Sequence, residues 1–316
     1  MNAGLGRTAI AKALNITDWK ARMLIREAVA SGVENAKPGP KVKRPIPTVT
    51  KVVVKEVETI PYDAPVVTKR KMDGERVIVF SDIHLPYSDL KALSIALNYT
   101  KDAKPDHIVL NGDIADFYAV SSFQKNMEGR PSFEEEISET VRFFRELRAA
   151  HPDAKISFVC GNHEFRISKY LEKNAPELIG DLLSLPNLFK LKEMDIEYYD
   201  TFTPLRIGKL LITHSELVRK AAGSSARGNR DKYNSSVLIG HIHRGSIARQ
   251  RVLDGQHVMV ENPCLSKLDV DYMKFPDWLQ GFTELTFDSN GDFDAHTHAI
   301  VDYKLITPSG DVYSIG

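Results

Sequence analysis

The sequence predicts an α/β fold in which two sheets pack face to face with helices outside, preceded by a small helical module. Three observations predict it. Apolar, strand-like runs alternate with helical stretches between residues 76 and 164. Between residues 209 and 288 strand-like runs follow one another closely. Residues 1–75 differ from the rest in composition and charge. Helix-separated strands followed by closely spaced ones ask for two sheet layers with helices outside, and 316 residues suffice for one large domain with an accessory.

The elements follow in order. Residues 7–31, "RTAIAKALNITDWKARMLIREAVAS", carry two apolar stripes at helical spacing, Ile10, Ala13 and Leu14 and then Trp19, Met23, Leu24 and Ala28. Thr17 between them suits an N-cap. Two short helices on a tight turn predict a helix-turn-helix over residues 1–36, whose second helix presents Lys20, Arg22 and Arg26 to DNA. The other use of such a pair is assembly, for instance into a dimer. Residues 37–75 are rich in Pro and Lys, with one β-prone stretch, "TVTKVVVKEV", and read as a linker. The third division is residues 76–316. Its expected strands are 76–82, 107–113, 155–164, 209–215, 236–243, 257–263 and 282–288, with helices at 90–101 and 133–151. The second helix has acids early and arginines late, as the helix dipole favours.

Charge is split along the chain. Residues 1–72 hold 14 Lys/Arg against 6 Asp/Glu, and the remainder 28 against 36. A basic arm on an acidic body points to a polyanionic partner, nucleic acid and DNA first. The two cysteines, Cys160 and Cys264, stand apart in apolar segments and are expected to be buried and reduced. No apolar run approaches the roughly 20 residues of a membrane helix, and the N-terminus lacks a signal-peptide layout. The expectation is a cytoplasmic protein without a membrane partner.

The polar residues gather at strand ends. One strand ends in Asp82-Ile83-His84, the next in Gly112-Asp113, the third in Gly161-Asn162-His163-Glu164, and later ones in His214 and Gly240-His241-Ile242-His243. Ligands of α/β sheets bind at the carboxyl ends of strands. Strand side chains alternate, so Asp82 and His84 should share a face, as should His241 and His243. Carboxylate and imidazole together suit Mn²⁺ foremost, with Fe²⁺, Zn²⁺ or Ni²⁺ as alternatives, and the lack of thiolates argues against a structural zinc site. There are more ligands than one ion uses; two ions about 3.5–4 Å apart would employ them all. Two divalent ions less the charges of Asp82 and Asp113 leave a positive centre that attracts a phosphate ester.

The ordered set D-x-H, G-D, G-N-H-E, H, G-H-x-H resembles the calcineurin-like metallophosphoesterases over residues 76–300. The resemblance implies a four-layer αββα sandwich with a dinuclear site. Asp82, His84 and His243 would hold one ion, Asn162, His214 and His241 the other, and Asp113 would bridge. It also implies that His163 is no ligand but aids the leaving group, oriented by Asp116. Protein Ser/Thr phosphatases of this family carry Arg after that Asp, where this chain has Phe117. Phosphodiesters are therefore favoured over phosphoproteins. A helical module joined to such a core also resembles phosphoesterases of bacteriophages, which would place the protein in a host cytoplasm.

The loops 117–132 and 218–236 are expected to contact substrate, the second being mobile for its Gly and Ser. Arg227 and Arg230 there, and Arg244 beside the last motif, are candidates for phosphate oxygens. "DAHTH" at 294–298 imitates D-x-H without the other motifs, so His296 and His298 read as surface or edge-strand residues. The resulting expectation is a dinuclear phosphodiesterase, a nuclease acting on DNA. The alternatives are a phosphoesterase for a small nucleotide, its pocket closed by 218–236, and a DNA-binding regulator whose hydrolase core senses a ligand.

Overall fold

In the computed structural model the residues described are 74–122, 130–253, 255–269 and 276–315. The expected helix-turn-helix with Lys20, Arg22 and Arg26, and residues 37–73 of the linker with its β-prone stretch, lie outside them.

An eight-stranded sheet forms the centre, ordered β13-β12-β11-β10-β1-β2-β3-β4. Its strands are β1 Arg76–Phe80, β2 His107–Asn111, β3 Lys155–Val159, β4 Ile196–Tyr199, β10 Gln280–Phe287, β11 Phe293–Val301, β12 Lys304–Ile306 and β13 Val312–Ser314. Strands β1 to β4 run parallel, with Val77 opposite His107 and Ile108 opposite Ile156, while β10 joins β1 antiparallel. The second sheet, ordered β5-β6-β7-β9-β8, holds β5 Leu205–Ile207, β6 Leu210–Thr213, β7 Ser236–Ile239, β8 Ser246–Val252 and β9 Gly255–Glu261. Here β6, β7 and β9 are parallel.

Alternation along β1 shows why the strand is apolar throughout. Ile78 and Phe80 enter the cluster shared with the helices, while Val77 and Val79 enter the one between the sheets, against Leu210, Ile212, Leu238 and Val260. A parallel strand covered on both faces reads as an unbroken apolar run. On the outer face of the large sheet lie α1 Leu90–Ala103 and α2 Phe133–Ala150. Asp89 caps α1 by accepting from the amides of Lys91 and Ala92, and Ser132 with Glu135 forms a capping box on α2. α3 Phe165–Asn174 follows the third motif directly.

The fourth layer corrects the expectation for 218–236. Residues Ser224–Tyr233 form a helix, α4, whose Ala226 packs against Val237, Ile239 and Met259. No side chain at its own N-cap, Gly223, closes its first turn. The buried Glu261 carboxylate on β9 does so, accepting from the amides of Gly223 at 2.6 Å, Ser225 at 3.1 Å and Ala226 at 3.2 Å. The layers are thus helix, sheet, sheet, helix.

"DAHTH" also departs from expectation. β11 lies between β10 and β12 rather than at an edge, and His298 is buried, its Nε2 3.0 Å from Glu284. His296 is exposed. Cys160 and Cys264 are buried free thiols, as expected.

Candidate metal centre

The strands stop earlier than the sequence suggests, and the motif residues lie just past their ends. Asp82 and His84 follow β1, Asp113 follows β2, Asn162 and His163 follow β3, His214 follows β6, and His241 and His243 follow β7. Alternation of strand side chains therefore does not explain the D-x-H and H-x-H spacings. Asp82, His84, Asp113, His241 and His243 have φ between 52° and 72°. Left-handed residues turn the chain sharply and aim both members of each pair inward. Asp and His are among the side chains that tolerate this region.

Two motif glycines are explained by close approach. Gly112 has φ 78°, and a Cβ on it would lie 2.4 Å from His214 Nδ1. A Cβ on Gly161 would lie 2.2 Å from Asp113 Oδ1. Beside them Glu164 is buried and accepts from four backbone amides, those of Asp113, Ile114, Ala115 and Gly161, at 2.6 to 3.0 Å. One carboxylate thereby ties the turn after β2 to the turn after β3.

Three groups of donors converge: Asp82 with His84 and His243, His84 with Asp113 and His163, and Asp113 with His214 and His241. His84 Nε2 lies 3.2 Å from His243 Nε2, and His243 Nε2 3.2 Å from Asp82 Oδ1. His214 Nε2 lies 3.1 Å from Asp113 Oδ2 and 3.2 Å from Asn162 Oδ1. Donors about 2.0–2.2 Å from a common divalent ion stand roughly 3.0–3.6 Å apart, so these spacings fit divalent metal. Asp113 and His84 each belong to two of the groups, and of the two only Asp113 carries a pair of donor oxygens.

The ring nitrogens facing away are held. His214 Nδ1 is 2.7 Å from the Asn111 carbonyl and His84 Nδ1 is 2.9 Å from Asp116 Oδ1, which directs each Nε2 inward. The electrostatics also call for positive charge. Burial opposes ionisation of Asp82, yet His243 and His214 bring its carboxyl down to about 2. Burial likewise opposes charge on His214, but Asp113 and Asp82 raise it to about 10. His241 goes the other way, lowered to about 4 by burial and by the neighbouring His214.

His163 stands apart chemically. Its Nδ1 lies 2.8 Å from the Asp116 carbonyl and 3.1 Å from Asp116 Oδ1, and its Nε2 lies 2.9 Å from the Arg166 guanidinium. A cation at Nε2 disfavours metal there. Asp116 serves both His163 and His84, where the sequence suggested His163 alone. Arg166 escaped the sequence reading; its signal is a position three residues after His163 as α3 begins.

Phe117 is buried, stacked on Phe189 with ring centroids 5.6 Å apart. Its backbone also has φ 50°. The candidate arginines have other partners or none at the cluster. Arg230 meets Gln250 and pairs with Asp231, and Arg244 donates to the Arg219 carbonyl and pairs with Asp277 at 2.9 Å. Arg227 is exposed on α4.

Two cavities flank the cluster. One, of about 440 Å³, reaches His84, Asp113, His163, His241 and His243 and is walled by Tyr87, Tyr118, Arg130, Lys267 and Trp278. The other, of about 560 Å³, reaches Asn162 and His214 and includes Lys169 and Lys232. Among the described residues no helix is long and apolar enough to cross a membrane.

The sequence profile described as "Calcineurin-like phosphoesterase" matches residues 75–273. The Gene 54 protein of Mycobacterium phage D29 is 29% identical over 235 residues, covering 69% of this chain and 91% of that protein. Its counterpart in Mycobacterium phage L5 is 29% identical over 240 residues, covering 68% and 90%. Among solved structures, Vacuolar Protein Sorting 29 from Cryptosporidium parvum aligns with a TM-score of 0.39 at 12% identity, covering 72% of this chain and 97% of that one.

Proposed function

Starting from a chain that belongs to the calcineurin-like phosphoesterase family, a family of metal-dependent hydrolases with a dinuclear divalent metal site, we propose that it is a phosphodiesterase acting on nucleic acid, DNA first. The residues proposed for one ion are Asp82, His84 and His243, and for the other Asn162, His214 and His241, with Asp113 shared. Mn²⁺ is the proposed metal, since the donors are imidazole, carboxylate and amide oxygen without thiolate. Ions bound there would supply Lewis acidity and an activated nucleophile.

The chain's own groups divide the remaining work. Asp116 holds the rings of His84 and His163. His163 Nε2 accepts from Arg166 as found; when Arg166 turns its donors to a phosphoryl oxygen, a protonated His163 can pass its Nε2 proton to the leaving oxygen. The observation that carries the choice of a polymer is the pair of cavities, one on each side of the cluster and each with lysine in its wall. A strand bound at its diester can extend both ways. A loop closing over the site would favour the small-substrate reading, and residues 224–233 are instead the helix α4.

The basic segment 1–72 is proposed to add DNA affinity through Lys20, Arg22 and Arg26, with residues 1–36 as a helix-turn-helix and 37–75 as its linker. The phage proteins to which the chain is similar suit a role in a host cytoplasm. The deciding experiment assays the purified protein with Mn²⁺ against single-stranded DNA, duplex DNA and a small diester. Cleavage of DNA supports the proposal; turnover of the small diester alone would leave a small-molecule phosphoesterase.

A further inference from the structure

The cavity on the His84 and His243 side has a wall that metal chemistry does not require. Tyr87 and Tyr118 meet edge to face with centroids 6.4 Å apart, and the Arg130 guanidinium carbon sits 5.3 Å from one ring and 5.1 Å from the other. Tyr118 is two residues beyond Asp116, so this group continues the wall that holds His163. Trp278 belongs to the wall that carries His243, its ring 4.3 Å from that imidazole. Three aromatic rings and an arginine in reach of a phosphoesterase centre are the composition of a base-stacking platform, on which every nucleobase offers a π-face. The volume, about 440 Å³, lies within the ordinary range of small-molecule sites, roughly 300–1,000 Å³.

We infer that this wall is a subsite for one unpaired nucleobase, adjoining the diester held at the cluster. The inference rests on the phosphodiesterase reading and narrows its substrate to single-stranded or frayed DNA. A base paired inside a duplex keeps both faces within its own stack and cannot lie on Tyr118 or Trp278. Arg130, beside the two tyrosines, is the cation a flanking phosphate would meet, while Lys267 shares the rim with the carboxylate of Asp269.

The test compares two esters with the same leaving group, thymidine 5′-(p-nitrophenyl phosphate) and methyl p-nitrophenyl phosphate, using the full chain with Mn²⁺. The readout is the ratio of their kcat/KM values, which a general loss of activity does not move. The full chain should prefer the thymidine ester. Trp278→Ala and Tyr118→Ala should each shrink that preference about 5- to 150-fold, and Trp278→Phe should retain most of it. Without metal, in a Trp19→Phe background, thymidine 5′-monophosphate should quench Trp278 fluorescence and methyl phosphate should not. If the full chain shows no preference, or both alanine variants keep it, the subsite is wrong while the phosphodiesterase reading stands. If neither ester is hydrolysed by protein shown to hold metal, the reading fails and the subsite falls with it.

Discussion

Replacing Glu261 by Gln would isolate a cap supplied across the fold. Glu261 is fully buried, and its two oxygens accept from the amides of Gly223, Ser225 and Ala226 and from the Ser246 hydroxyl. Glutamine keeps one acceptor oxygen. Its best placement leaves that oxygen on Ser225 and Ala226 and turns the amide toward Gly223 and Ser246. The hydroxyl can rotate to accept; the Gly223 amide cannot. One buried donor left unsatisfied costs about 1–3 kcal/mol. Losing a negative charge at a helix N-terminus costs a further ~0.3–2 kcal/mol. The expected loss is therefore about 1–5 kcal/mol. It would appear in urea unfolding of the chelator-treated protein as a lower midpoint at unchanged slope. Hydrogen exchange should accelerate first in α4. A loss under about 0.5 kcal/mol with unchanged exchange in 224–233 would refute the reasoning.

Other expectations concern the site and the arm. Asp113 belongs to two donor groups and Asp82 to one, so Asp113→Asn should lose more Mn²⁺ than Asp82→Asn by metal analysis; at most one ion per wild-type chain at saturation would end the dinuclear assignment. His163→Ala should keep its metal and lose on the order of 10²–10⁴ in rate, with less loss for a nitrophenolate leaving group; equal losses would remove the acid role. Phe117→Ala should cost about 3–5 kcal/mol in urea unfolding, because its ring lies fully buried against Phe133 and Phe189. Removing residues 1–72 should spare hydrolysis of a small diester yet weaken duplex DNA binding and flatten its salt dependence; identical salt series would make that segment an assembly device.

The site was legible because its residues terminate unusually apolar strands. Val77 to Phe80 and Val237 to Ile239 are buried on both faces, and the polar groups stand out where those runs stop. What the sequence reading got wrong was the reason for their convergence, which lies in left-handed residues beyond the strands rather than in strand alternation. α4 was hidden for a different reason. It packs through Ser225, Ala226, Gly228 and Asn229, small residues that give no apolar stripe, and its cap is 35 residues or more away in sequence on β9. β8 was hidden because it is an edge strand with no fully buried residue. Arg166 and the double duty of Asp116 depend on contacts between separate loops, which one-dimensional spacing does not report.

The left-handed residues at the strand ends bear on how the protein could be engineered. A non-glycine residue held in that conformation costs about 1–2 kcal/mol, and five of the seven proposed ligands are so held. Glycine at His241 would relieve strain while deleting a ligand and leaving the Asp82 and Asp113 pairings with His243 and His214 in place, so an inactive variant of this kind should fold better than the active protein without metal. A library screened for thermal resistance alone would drift toward such sequences. Selection for a stable, working protein must therefore keep metal or substrate turnover in the screen.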